Sequence, residues 1–256
     1  IDENSDAYEG IYLNRFTQTA YVPGSVFKLV TTAAALDTLK NARDIEFRCD
    51  GVYEMSGGKI KCTGEHGTID LKKALQKSCN CYFAQLSEVL GADTLKQYVE
   101  KLQITESLSF DGITTAQGNY NVSDTAPVTF AWSCIGQHSD LVNPARFMTF
   151  MGAIANGGVS AKPYVVSRIR CGQEETYRAA TTMNQRVLEQ EIADRLVLSM
   201  NLAVVNNYGE ANFAGLYAGA KSGTAERGGE LVPNALFAGF VQDSRYPLAF
   251  VVVVEG

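Results

Sequence analysis

Ser25-Val26-Phe27-Lys28 places a hydroxyl and an amine three residues apart. A serine hydroxyl is a weak nucleophile at neutral pH and needs a base beside it. On the first turn of a helix, positions i and i+3 share a face, so Lys28 can set its amine against the Ser25 hydroxyl. Amides at a helix start favour negative charge developing there. Phe27 and the apolar turn after it exclude water and hold part of the lysine neutral. This pairing permits acyl transfer through a serine ester. The string alone says little, because Ser56-Gly57-Gly58-Lys59 matches it too. That copy sits in a glycine-rich turn with no helix to fix its geometry, and reads as chance.

Two more groups follow in order. Ser78-Cys79-Asn80 lies between two helical stretches, where a short loop can offer a hydroxyl for proton relay and an amide for a substrate's peptide groups. Standing alone, Ser78 reads equally as a helix cap. The same spacing recurs at Ser199-Met200-Asn201, in mid-helix. Lys221-Ser222-Gly223-Thr224 is the one K-[ST]-G match in the chain. Gly223 removes a side chain where a substrate backbone can pair along a strand, while Lys221 and Ser222 offer a cation and a hydroxyl. Standing alone, Lys221 reads as an edge-strand lysine that guards against aggregation.

The elements that must hold these groups are partly legible. Phe27, Val30, Ala34 and Leu39 recur at helical spacing and predict a helix over 26–39. Residues 44–67 are turn-rich and predict a loop or short hairpin. Helices are expected over 71–77, 82–90 and 94–102, the first capped by Asp70 and the second closed by Gly91. Residues 105–130 read as an extended loop, 144–156 as a helix closed by Gly157-Gly158, and 164–169 as a strand. The longest helix is expected over 186–205. Strands follow over 217–224, 236–242 and 248–254, the last two joined by a hairpin-length turn. The pattern predicts an α/β chain with antiparallel strands toward its C-terminal end.

Composition narrows the partners. The 256 residues are 46% hydrophobic, enough for one large domain or a domain with a helical lobe. A net charge of −6, spread without long runs, argues against nucleic acid or an acidic membrane as the main partner. No stretch has the charge-free length of a membrane span, and no signal-peptide pattern opens the chain, so any anchor is expected outside it. The polar opening over residues 2–6 and the stop directly after the apolar run 249–254 read as a domain of a longer protein. Of six cysteines, Cys49 and Cys62 flank a glycine-rich turn and are as open to a local disulfide as to free thiols. Cys79, Cys81, Cys134 and Cys171 read as free. A zinc site on Cys49, Cys62 and His66 lacks a C-x-x-C pair, and no metal or organic cofactor is expected.

The ordered set S-x-x-K, S-x-N, K-S-G resembles the signature of penicillin-binding proteins and serine β-lactamases. The likeness extends through Asn14-Arg15, Tyr21-Val22-Pro23-Gly24, His66-Gly67, Phe83, Ile135-Gly136-Gln137, the run from Asn143-Pro144 to Gly157-Gly158, and Ala225-Glu226. It covers residues 11–254 and is similar to the transpeptidase domain of penicillin-binding proteins, with wording closer to the monofunctional class B. The resemblance implies an antiparallel sheet flanked by helices, with a helical lobe over about residues 40–160 between the nucleophile helix and the C-terminal sheet. It also implies strands before the nucleophile helix and a helix after the last strand. Neither is found here, which predicts exposed sheet edges and reduced stability.

The roles implied by the resemblance are specific. Ser25 is the acylated nucleophile and Lys28 its base. Ser78 passes a proton to the leaving D-alanine nitrogen, with Lys221 in support. Asn80 binds the substrate amide, and Ser222 and Thr224 bind its terminal carboxylate. The amides of Ser25 and Thr224, beside Gly223, form an oxyanion hole. Gln137 lies near the cleft, while Trp132 and His138 read as packing or surface residues. The implied partners are peptidoglycan stem peptides, as D-Ala-D-Ala donor and amine acceptor, and β-lactams. The implied parent is anchored in a bacterial membrane and works outside it in a cell-wall synthesis complex. A D,D-carboxypeptidase would share every motif. A class A β-lactamase needs an E-x-x-L-N pattern that 105–130 lacks, and a class D enzyme would show S-x-V in place of Ser78-Cys79-Asn80. A non-enzymatic β-lactam sensor would keep Ser25 but has less need of intact Lys28, Ser78 and Lys221.

Overall fold

A helix that is apolar all round belongs in a core. Helix α2 (Lys28–Thr38) comes close to this: every residue from Lys28 to Ala35 is buried, Lys28, Thr31 and Thr32 being the polar exceptions. The computed structural model describes residues 10–122, 125–213, 215–225 and 232–256. Residues 2–6 and Glu226, both read from the sequence, lie outside them. A short helix α1 (Arg15–Gln18) and a 3-10 turn over Gly24–Phe27 lead into α2.

Strands β1 (Glu46–Met55) and β2 (Gly58–Asp70) form a long antiparallel hairpin. The sequence predicted a loop or a short hairpin here. One face of β1 packs inward through Phe47, Cys49, Tyr53 and Met55 while Glu46, Arg48, Asp50 and Glu54 face solvent; the glycines spread through 51–67 made the segment read as turns instead. The ladder slips twice, at Cys49/Asp50 and at Asp50/Val52. Helices α3 (Leu71–Lys77), α4 (Asn80–Leu90) and α5 (Ala92–Lys101) then follow within a residue or two of their expected places. The Asp70 carboxylate caps α3 by accepting from the Lys73 amide at 2.7 Å.

The expected loop over 105–130 is more ordered than predicted. It holds the small hairpin β3 (Ser109–Phe110) and β4 (Ile113–Thr114) and the start of helix α6 (Pro127–Cys134). Eight residues are too few to show a period, but Pro127 presets the first turn and Phe130, Ala131 and Cys134 are buried. Helix α7 (Pro144–Ala155) stands as expected. The strand expected over 164–169 lies further on, as β5 (Arg168–Cys171) paired with β6 (Glu174–Arg178). The amides of Val165 and Val166 donate to the Asp111 carboxylate at 2.7 and 2.8 Å, which takes them out of a ladder.

Helix α8 (Gln190–Ala203) runs on as a π turn over Val204–Gly209. The last strands, β7 (Ala218–Ala225), β8 (Asn234–Asp243) and β9 (Tyr246–Val254), form an antiparallel sheet in the order β7-β8-β9. α7 and α8 pack on one face. Ala249, Val251 and Val253 turn toward that core, while Leu248, Val252 and Val254 on the alternate positions are exposed. The fold is therefore a set of small antiparallel sheets flanked by helices, with a helical lobe beside them. No helix among the described residues is long and apolar enough to cross a membrane.

Asn143 fastens the chain ahead of the nucleophile to this frame. Its Oδ1 accepts from the Ala145 and Arg146 amides at the start of α7. Its Nδ2 donates to the carbonyls of Thr17 and Thr19 at 3.0 and 2.8 Å. It is 1% exposed, so Asn143→Ala leaves buried groups on both sides without partners. The substitution is expected to cost about 2–3 kcal/mol in urea unfolding, from the lost cap and the unsatisfied carbonyls.

Candidate active site

Two glycines set the approach of strand to helix. Gly24 has φ +56, and a Cβ there would stand 2.5 Å from the Thr224 carbonyl oxygen. A Cβ on Gly223 would stand 2.7 Å from the Pro23 carbonyl oxygen. Backbone therefore meets backbone where β7 crosses the start of α2, and Thr224 comes up beside Ser25. The Gly24 amide donates to the Gly136 carbonyl at 2.8 Å, which locks the turn to the segment after α6.

The Lys28 amine lies at the centre, 0% exposed. It reaches the Ser25 hydroxyl at 3.0 Å, the Ser78 hydroxyl at 3.2 Å, the Ser78 carbonyl at 2.8 Å and the Asn80 Oδ1 at 2.6 Å. Burial pulls its pKa down to about 7, against the raising pull of the neighbouring Cys62, Cys79 and Cys81. Much of it is then a free amine at neutral pH, able to accept a proton from a hydroxyl 3.0 Å away.

Ser78 holds the next position. It ends α3 in the left-handed conformation, φ 54, and Cys79 at once begins α4 by accepting from the Tyr82 amide. The tight joint throws the Ser78 hydroxyl between two lysines. On its far side the Lys221 amine, 1% exposed, donates to it at 3.0 Å and to the Ser222 carbonyl at 2.7 Å. Burial, and then the charge of Lys28, push Lys221 well below its ordinary range.

The remaining predicted residues surround this chain of groups. Asn80 is engaged at both ends of its amide, since its Nδ2 also donates to the Lys61 carbonyl at 2.9 Å. Gln137 donates to the Thr224 carbonyl at 2.9 Å. Ser25, Ser78, Asn80, Gln137, Ser222, Gly223 and Thr224 all line one cleft of about 760 Å³. Trp132 packs against the core and lines the cleft as well; His138 is exposed. Ser56 lies in the exposed turn of the β1–β2 hairpin, away from this group. Ser199 and Asn201 are in α8.

Two contributions escaped the sequence reading. Tyr208, on the π turn, lies 3.0 Å from the Ser222 hydroxyl and accepts from the Ser222 amide at 2.9 Å. Nothing in the local pattern marks it, because the π turn changes which face it presents. Lys59 and Lys61, with Thr63, form a basic wall of the cleft. Their alternation is the available sign: one face of β2 carries 59, 61 and 63.

The model of the penicillin-binding protein transpeptidase domain matches residues 2–256. The chain belongs to this family. Among curated relatives, it is 29% identical over 259 residues to the peptidoglycan D,D-transpeptidase PbpA of Mycolicibacterium smegmatis, covering 95% of this chain and 51% of that one. It is 28% identical over 216 residues to stage V sporulation protein D of Bacillus subtilis, covering 82% of this chain and 33% of that one. The chain thus spans a third to a half of the length of these two relatives. Penicillin-binding protein A from M. tuberculosis, solved as an imipenem acyl-enzyme complex, superposes with a TM-score of 0.85 at 25% identity, over 94% of this chain and 57% of that one. The D,D-transpeptidase domain of a peptidoglycan glycosyltransferase from Eggerthella lenta gives 0.87 at 24% identity, over 98% of this chain and 64% of that one, a likeness of fold.

The backbone contact at Gly24 is sensitive to a single methyl group. Gly24→Ala meets both an unfavourable φ and the Thr224 carbonyl. It is expected to lower stability by about 1–3 kcal/mol in denaturant melts, and to part β7 from the helix start.

Proposed function

We propose that the chain is a serine D,D-transpeptidase domain that forms an acyl-enzyme on Ser25. One observation carries this: a buried amine, Lys28, bridges the hydroxyls of Ser25 and Ser78, with a second buried amine, Lys221, behind Ser78. The Ser25 oxygen attacks the carbonyl carbon of the penultimate D-alanine of a stem peptide as Lys28 takes its proton. The amides of Ser25 and Thr224 receive the oxyanion. As the C–N bond breaks, Ser78 gives its proton to the leaving D-alanine nitrogen and regains one from Lys28, so the proton taken from Ser25 leaves with the product. Lys221 steadies Ser78 during that exchange. An amine from a second stem peptide then displaces Ser25, and the new amide is the cross-link.

Substrate placement follows from the walls. The edge of β7 at Gly223 accepts an extended peptide. Ser222, held by Tyr208, and Thr224 offer hydroxyls to the terminal carboxylate. Asn80 fixes Lys28 through Oδ1 and holds the Lys61 carbonyl with one Nδ2 hydrogen, and its second Nδ2 hydrogen serves the substrate amide. Lys59 and Lys61 draw the acidic groups of the stem peptide. A β-lactam takes the same path, but its leaving nitrogen stays tethered to the acyl group, so release is slow. The imipenem acyl-enzyme of the M. tuberculosis relative supports this outcome. The whole protein is read as a class B enzyme anchored to the bacterial membrane and working on its outer side in a cell-wall synthesis complex. The lobe over about residues 40–160 forms one side of its cleft.

Incubation with a fluorescent penicillin tests the reading. Long-lived label is expected, absent in Ser25→Ala and retained in Ser56→Ala. No label on the native chain, or label lost in Ser56→Ala alone, would refute it, and label released within minutes would indicate a β-lactamase.

The rate of labelling carries a second signature. Lys28 acts as the base only when deprotonated, and its pKa is lowered to about 7. Labelling is expected to slow about tenfold for each pH unit below that value and to level off above it. A rate that is flat through neutral pH and rises only in the alkaline range of an ordinary lysine would contradict the assignment.

A further inference from the structure

Behind the catalytic joint lies a group of side chains that acyl transfer does not use. Cys49 on β1, Cys62 and His66 on β2, and Cys79 at the start of α4 bring three sulfurs and one imidazole nitrogen within 4.8 Å of one another. The Cys62 and Cys79 sulfurs are 3.8 Å apart. His66 Nδ1 lies 3.5 Å from the Cys49 sulfur and 3.6 Å from that of Cys62. Disulfide bonding requires sulfurs at about 2.05 Å, and all six cysteines are free. A tetrahedral zinc has bonds of about 2.3 Å to sulfur and about 2.05 Å to nitrogen, so its edges are about 3.8 Å between sulfurs and about 3.5 Å between sulfur and nitrogen. The three contacts match those edges.

The surroundings suit thiolates. The Asn80 amide donates to the Cys62 sulfur at 3.3 Å and the Tyr82 amide to the Cys79 sulfur at 3.4 Å, the backbone support that metal-bound thiolates receive. Cys79 is the N-cap of α4, where a negative sulfur is favoured. The double slip in the hairpin ladder leaves residues 62–64 outside the pairing and lets Cys62 and His66 converge. Cys81 adjoins Cys49 and Cys62 but is outside the set of four; it donates to the Ile60 carbonyl at 3.8 Å. The sequence offered Cys49, Cys62 and His66 without a fourth donor, and no C-x-x-C pair drew attention to them. The fourth is Cys79, supplied by another element inside the Ser78-Cys79-Asn80 motif.

We propose that Cys49, Cys62, His66 and Cys79 bind zinc in a closed tetrahedral site that fastens the β1–β2 hairpin to the loop carrying Ser78 and Asn80. Three soft sulfurs and one imidazole select zinc over oxygen-seeking cations. Binding displaces one proton from each thiol and leaves a complex of charge −1, with His66 coordinating through Nδ1. Four protein ligands leave no open position, so the metal is structural and acyl transfer does not pass through it. Its leverage is positional. Cys79 stands between the two motif residues, and Cys62 follows Lys61, whose carbonyl holds Asn80.

The test is metal analysis of the whole chain, purified under reducing conditions, followed by stripping with a chelator and reloading with zinc or cobalt. One zinc per chain is expected. Cobalt should give the visible bands of a tetrahedral ion and near-ultraviolet thiolate charge-transfer bands. Cys62→Ser and His66→Ala should lose the zinc, while Cys171→Ser keeps it. His66→Cys, which preserves four soft ligands, should retain zinc with an altered cobalt spectrum, and this covers the case in which the other variants fail to fold. A chain that shows no cobalt bands at saturation, a Cys62–Cys79 disulfide by mass analysis, or bands unchanged in folded Cys62→Ser would overturn the site. These readouts do not depend on acylation.

Discussion

Everything in the cleft depends on a single buried amine. Lys28 leaves water entirely, and its charged form forfeits hydration. Four oxygens around it offset that cost, from Ser25, Ser78 twice, and Asn80. The balance brings the amine near neutrality at physiological pH, where a base for a serine is useful. The same four bonds fix the geometry of two segments distant in sequence, 25–28 and 78–80. A second buried lysine, Lys221, adds a repulsive charge and makes the pair harder still to protonate. The arrangement gives up stability to hold two amines out of water, a cost the surrounding core must cover.

The frame is suited to that demand. Helix α2 is buried from its first turn, so Lys28 begins life inside the core rather than folding back from a surface. The sheet presents its β7 edge to the helix start, and paired glycines let the two backbones touch. The hairpin closes the opposite side, with lysines toward the cleft and sulfurs toward the joint of α3 and α4. One hairpin thus forms both the polar wall for a substrate and the back support of Ser78 and Asn80.

The parts of this that the sequence disclosed have physical reasons. Ser25 and Lys28 were legible because i,i+3 spacing on a helix needs no tertiary information. Helices α3, α4, α7 and α8 were legible from caps and period. Strands β8 and β9 were legible as short apolar runs joined by a hairpin-length turn. The long hairpin was not, since its glycines, Gly57-Gly58 above all, read as turns although Phe47, Cys49, Tyr53 and Met55 alternate toward the core. Helix α6 was too short to show a period, and Asp111 pulled the expected strand at 164–169 out of register. Tyr208 was invisible because its aim is set by a π turn. The meeting of Cys79 with Cys49, Cys62 and His66 depends on three elements converging, which spacing along one segment cannot report. Even Ser78, correctly placed between helices, owes its aim to a left-handed φ that its residue type does not announce.

The protonation state of Lys28 decides whether Ser25 has its base, and an NMR titration of the lysine side-chain carbons reads that state. The resonance that disappears in Lys28→Arg identifies the group. A midpoint near 7 is expected, far below the ordinary lysine value of 10.5. A midpoint that stays near 10.5 would mean the amine is a permanent cation, and Ser25 would need another base.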